Sequence, residues 1–79
     1  MAWVLGLMNI AGQYIKAKRQ EIGMGQVDLS EALKEEYQIQ LDQSDISEIE
    51  RGVRGIKDVE LVAVAAILGV SPNQLLGWK

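Results

Sequence analysis

Residues 42–52 read DQSDISEIERG, and the fold turns on how these side chains divide between two faces. Asp42 is a good N-cap residue, so a helix begins just after it. Ile46, Ile49, Glu50 and Val53 then share one face, while Gln43, Ser44, Ser47 and Glu48 fall on the other. The apolar face binds the helix to a core. The polar face is left outward, and Arg51, Arg54 and Lys57 follow directly. Glu50 is the anomaly, because a carboxylate in an apolar stripe needs a partner.

That partner stands upstream. Ala11, Ile15, Arg19 and Ile22 recur at steps of 4, 4 and 3, which predicts a helix over about 10–22, capped by Asn9 and ended by Gly23. Arg19 lies in that stripe as Glu50 lies in its own. Either charge alone is costly to bury, so the two are expected to form a bidentate ion pair that locks the third helix to the first. Its role is structural, and the plainer alternative is two separately solvated charges, reached if the helix boundaries slip by a residue.

The remaining elements follow from caps and periodicity. A second helix starts after Gly25, with Val27, Leu29, Ala32 and Leu33 as its apolar positions and Lys34 to Tyr37 near its end. The alternation in YQIQL, 37–41, suggests a short extended connection. A fourth helix starts at Asp58, and VELVAVAAIL, 59–68, is apolar on nearly every side, which places it in the middle of the domain until Gly69 stops it. Ser71 followed by Pro72 opens a fifth. The expected fold is all-α, a compact five-helix bundle occupying 9–79 as one domain, with 1–8 as an apolar N-terminal tail.

Composition narrows the function. The 79 residues contain neither Cys nor His, which removes disulfides, thiolate metal sites, the commonest metal ligand and the commonest general base. No Gly-rich phosphate loop, Ser-His-Asp set or HExxH occurs either. An enzyme using lysine or carboxylate chemistry is the weakest reading, and neither metal nor cofactor is expected. MAWVLGLM, 1–8, lacks a basic n-region and is far shorter than the roughly 18 residues that cross a bilayer. It is a loose tail, a stretch ahead of a start at Met8, or a cover, through Trp3, Val4, Leu5 and Leu7, for a partner subunit. The expected location is cytoplasmic.

Three ordered blocks now bear on function: IKAKRQEIGMGQVDLSEAL at 15–33, DQSDISEIERG at 42–52 and ELVAVAAILGVSPNQLLGW at 60–78. Together they resemble the helix-turn-helix domains of the Cro and lambdoid phage repressor type, found in many small bacterial regulators, over nearly the whole chain. In that family the residues matching Arg19 and Glu50 form an internal ion pair. The resemblance further implies that 43–51 is a recognition helix entering the major groove of double-stranded DNA while the second helix crosses the backbone. Gln43, Ser44 and Glu48 occupy base-reading positions, and Gln26 matches a glutamine that contacts a phosphate. Ser47 lies beside them within reach of a phosphate, and the loop cations Arg51, Arg54 and Lys57 sit where phosphates run. A single module reads few bases, so a homodimer spanning two half-sites is expected, with Leu75, Leu76 and Trp78 or the Trp3–Leu7 segment as its apolar contact.

Two features pull the other way. The net charge is −3, and 28–50 holds eight acids (Asp28, Glu31, Glu35, Glu36, Asp42, Asp45, Glu48, Glu50) against Lys34 alone. This favours a rival from another class, a protein-interaction module of antitoxin or anti-repressor type whose acidic face meets a basic protein. The chain between Leu33 and Ile46 is also about six residues longer than the family's tight turn and lacks its glycine. The insertion is expected to lengthen the second helix or to form a loop beside the DNA backbone. Plainer readings accompany the site: Gln43 and Ser44 as solvated residues, Asp45 as a companion to the Asp42 cap, and the cations as a solvated loop.

Overall fold

The computed structural model describes the backbone of residues 5–77 and the side chains of residues 11–77. Its elements are α1 (Leu5–Glu21), α2 (Gln26–Tyr37), α3 (Gln43–Glu50), α4 (Asp58–Leu68) and α5 (Pro72–Leu75), with no strand among the described residues. The fold is the all-α bundle that the caps and stripes predict. Ile15 of α1, Leu29 and Leu33 of α2, Ile46 and Ile49 of α3, Val64 and Leu68 of α4 and Leu75 of α5 meet in one core. Among the described residues no buried side-chain polar atom lacks a hydrogen-bond partner.

Several boundaries differ from expectation for identifiable reasons. Asn9 is inside α1 and not its cap, since the helix already begins at Leu5. Leu, Met and Ala propagate a helix well, so a residue able to cap ends nothing when its predecessors can continue the turn. Ile22 leaves the stripe because α1 stops at Glu21 and Gly23 turns the chain at φ 73°. Its side chain is exposed, and so is that of Val27, which lies about two positions off the Leu29–Leu33 line. Val53 is 68% exposed, because α3 ends at Glu50 and the helical register does not reach it. Helix α4 is not surrounded: Val59 and Val62 face solvent while Leu61, Val64 and Leu68 face the core.

The insertion lengthens α2 to Tyr37 and then crosses back over 38–42. Gln38 caps α2 in the left-handed region (φ 57°), where the family's glycine would be cheaper. Leu41 is buried in the core, and its carbonyl accepts a 2.6 Å hydrogen bond from the Ser30 hydroxyl. The extra residues are thereby fastened to the domain. At the other end, Leu75 is 1% exposed, which removes it from the surface expected to join two copies. Leu76 is half-buried, and Trp3, Val4 and Trp78 lie outside the described residues.

Gly12 was not singled out by periodicity, yet it governs how α1 meets α3. A Cβ built there would collide with the carbonyl oxygen of Ile49 and come within 3.2 Å of the Glu50 Cα. The helices therefore approach to backbone contact. On helix propensity alone Gly12→Ala stabilises by about 1 kcal/mol. Crowding against an immobile backbone reverses the sign, and a net loss of about 1–3 kcal/mol is expected in urea unfolding. A gain in stability would show that α1 and α3 are not in backbone contact.

Candidate nucleic-acid interface

Helix α3 is a short rod with one fixed side and one free side. Its start is defined by a reciprocal cap: the Asp42 carboxylate accepts from the Asp45 N–H at 2.9 Å, and the Asp45 carboxylate accepts from the Asp42 N–H at 3.1 Å. Asp45 is thus the companion of the cap. The Ser44 hydroxyl also donates to Asp42, at 2.8 Å. Hydrogen bonds from the Asp45 backbone, and then from Ser44, hold the Asp42 carboxyl below the usual carboxylate range. Its last turn ends with Arg51 as C-cap, so the helix expected over 43–51 closes one residue sooner, at Glu50.

The fixed side is held by Glu50. Arg19 donates through Nε to Glu50 Oε2 at 2.7 Å and through Nη2 to Oε1 at 2.9 Å, with 10% and 2% of the two side chains exposed. This is the bidentate geometry that a guanidinium and a carboxylate favour. Arg19 Nη1 spends its remaining capacity on the Met24 carbonyl at 2.8 Å, which ties in the turn between α1 and α2. Hydrogen bonding to Glu50 raises the Arg19 pKa despite the opposing desolvation. A raised cation contributes fully below its unfolded value and is lost only as pH rises through the folded one, so the Arg19 side of the pair stays charged through the neutral range.

From this pair a polar line runs to the surface. Gln26 Nε2 donates to Glu50 Oε1 at 3.0 Å, and Gln26 Oε1 receives a long 3.5 Å contact from Gln43 Nε2. The amide of Gln43 keeps its oxygen and one N–H for an external group. Gln43 and Ser44 are exposed, and Ser47 and Glu48 are half-buried beside them. These four therefore share the outer face of α3. Because its proton is directed to Asp42, the Ser44 hydroxyl presents lone pairs outward.

The cations after α3 are of two kinds. Arg51 and Lys57 are exposed and form no ion pair among the described residues. Arg54 is half-buried and paired with Glu60, its Nη1 lying 3.3 Å from Oε1. Glu60 itself went unnoticed in the sequence. It sits at the third position of α4 and accepts the Lys57 N–H at 2.9 Å, but Lys57 is not a capping type, so no Ser/Thr-x-x-Glu signature announces it. The groove beside α3, lined by Ser30, Lys34, Gln40, Leu41, Asp42 and Asp45, is a shallow polar surface of about 380 Å³. No group of three or more acids among the described residues is placed to hold a metal ion. Nor is any helix among them long and apolar enough to cross a membrane.

Two helices joined by a fastened turn, the second presenting a polar face and followed by cations, form a helix-turn-helix. The helix-turn-helix family model of the Cro/C1 type matches residues 15–75. The chain belongs to that family, whose members are DNA-binding transcription regulators. Neither a curated protein nor a solved structure matches it.

Two outcomes test the mounting of α3. Glu50→Ala leaves the Arg19 guanidinium enclosed without its partner, and a loss of about 3–5 kcal/mol is expected in chemical unfolding. The Asp42 cap has a folded pKa below its unfolded one. Its contribution is complete above the ordinary carboxylate range and is lost as pH falls through and below it. Asp42→Asn caps without titrating. In melts followed by circular dichroism at a series of acidic pH values, the gap between wild type and Asp42→Asn should close as pH falls; a gap that stays constant would refute the assignment.

Proposed function

We propose that the protein binds duplex DNA sequence-specifically as a small bacterial or prophage transcriptional regulator, with α3 in the major groove. The observation that carries this reading is that Gln43 and Ser44 stand exposed on the outer face of a helix whose inner face is clamped by a buried ion pair. Rigid presentation is what base reading requires. Gln43 offers an acceptor and a donor side by side, the pattern that matches adenine N6 and N7. Ser44 accepts from an exposed base amine, and Glu48 only accepts, which favours cytosine N4. Gln26, Ser47, Arg51, Arg54 and Lys57 are assigned to the phosphates.

The acids around the turn differ in what holds them, and Glu50 alone among the eight is paired with a cation among the described residues. Of the eight between Asp28 and Glu50, Glu50 is consumed by Arg19, and Asp28, Asp42 and Asp45 accept from backbone N–H groups at helix starts. Glu31, Glu35 and Glu36 lie on α2, and Glu48 lies on the outer face of α3. A homodimer is part of the proposal: the longest Cα extent of one copy is 30 Å. Successive major-groove faces are about 34 Å apart, so two copies on adjacent half-sites would stand side by side.

Selection of binding sites from random duplexes, repeated with Gln43→Ala, tests the proposal. An enriched palindrome is expected, with the preference relaxed at one position per half-site in the variant. In a salt titration on the selected site, Lys57→Ala should flatten the slope of log affinity against log salt by about one. An unenriched pool, with capture of a basic protein by the α2 side, would transfer the case to the protein-interaction reading.

A further inference from the structure

Glu60 stands in the first turn of α4 with 9% of its side chain exposed. A carboxylate so enclosed needs donors. Beyond the Lys57 N–H it has Arg54, whose Nη1 donates to Oε1 at 3.3 Å and whose Nη2 donates to Oε2 at 3.4 Å. Arg54 Nη1 also donates to the Gly55 carbonyl at 3.0 Å. The backbone of the same residue is tied to α3, since the N–H groups of Val53 and Arg54 both reach the Glu48 carbonyl, at 2.9 and 3.2 Å. Arg54 is therefore tied to α3 by its main chain and to α4 by its tip.

A guanidinium carries five N–H donors in a fixed plane. Glu60 takes the end-on fork of Arg54, and Gly55 takes the outer hydrogen of Nη1. The Nε–H and the second Nη2–H, which project side by side, have no acceptor among the described residues, and 29% of the side chain is exposed. This is the same edge that Arg19 offers to Glu50. Planar two-point recognition of an anion uses that edge.

We propose that Glu60 is a positioning residue: it holds Arg54 end-on so that the Nε/Nη2 edge takes one DNA backbone phosphate bidentately beside α3. The proposal rests on the DNA-binding reading above. It also distinguishes Arg54 from Arg51 and Lys57, which would act as mobile point charges.

The test measures affinity of the full chain for a selected duplex as a function of salt, with Glu60→Gln, Arg54→Lys, Arg54→Ala and the double variant Glu60→Gln/Arg54→Ala. Gln keeps an oxygen for the Lys57 N–H but lacks the charge that fixes the guanidinium. Removing an acid near a polyanion tightens binding if the acid does nothing else. Positioning predicts the opposite sign: Glu60→Gln binds about fivefold more weakly, a typical effect of loosening one charge-assisted contact. In the Arg54→Ala background the same change no longer weakens binding. Arg54→Lys, which keeps the charge but not the fork, retains the salt slope yet loses most of what Arg54→Ala loses. Glu60→Gln binding as tightly as wild type or tighter, or Arg54→Lys matching wild type, overturns the proposal. A wild-type chain without affinity for any selected duplex overturns instead the reading on which it rests, and this assignment with it.

Discussion

The contact between Arg19 and Glu50 is what the rest of the molecule depends on. It joins α1 to α3 across 31 residues of sequence, and neither partner can be left alone in its enclosed position. Its value lies in direction more than in net stability, because a buried pair recovers little beyond its own desolvation. Two parallel hydrogen bonds fix a helix's rotation in a way that apolar contacts, which slide, do not. Gln26 extends the constraint by bonding to the same carboxylate. An arginine in the first helix is thus linked through Glu50 and Gln26 to Gln43, a residue proposed to meet a base.

Charge is handled by position. A chain with a net charge of −3 would repel a polyanion if its acids were evenly spread. Here Glu50 is paired with Arg19 and Glu60 with Arg54, whereas Asp28, Asp42 and Asp45 keep their charge and serve as caps. The inserted residues behave similarly. They carry Glu35 and Glu36 on the lengthened α2 and are pinned by Leu41 and Ser30, so the longer turn adds length without loosening α3.

The legible parts of the sequence were those written in short-range code. Caps at Asp42 and Ser71, glycine stops at positions 23 and 69, and the stripes through Ile15, Leu29, Leu33, Ile46 and Ile49 place all five helices. The ion pair was legible because two charges stood where only apolar residues belonged. Three things were hidden. Val53 and Ile22 look like stripe members until the helix ends before them, and a period carries no information about where it stops. Gly12 looks like a weak helix former, since its importance resides in a neighbour 37 residues away. Glu60 reads as an ordinary first-turn acid, because its partner Arg54 lies in a loop with no periodicity to place it.

The backbone contact at Gly12 decides which side chains of α3 are free of its seat. A helix seated on its own peptide groups keeps its height above the domain whatever side chains it carries on the far side. Gln43, Ser44, Ser47 and Glu48 take no part in that seat, so substitutions among them leave the backbone contact with α1 in place. Glycine at position 12 thus leaves the seating of α3 to main-chain atoms.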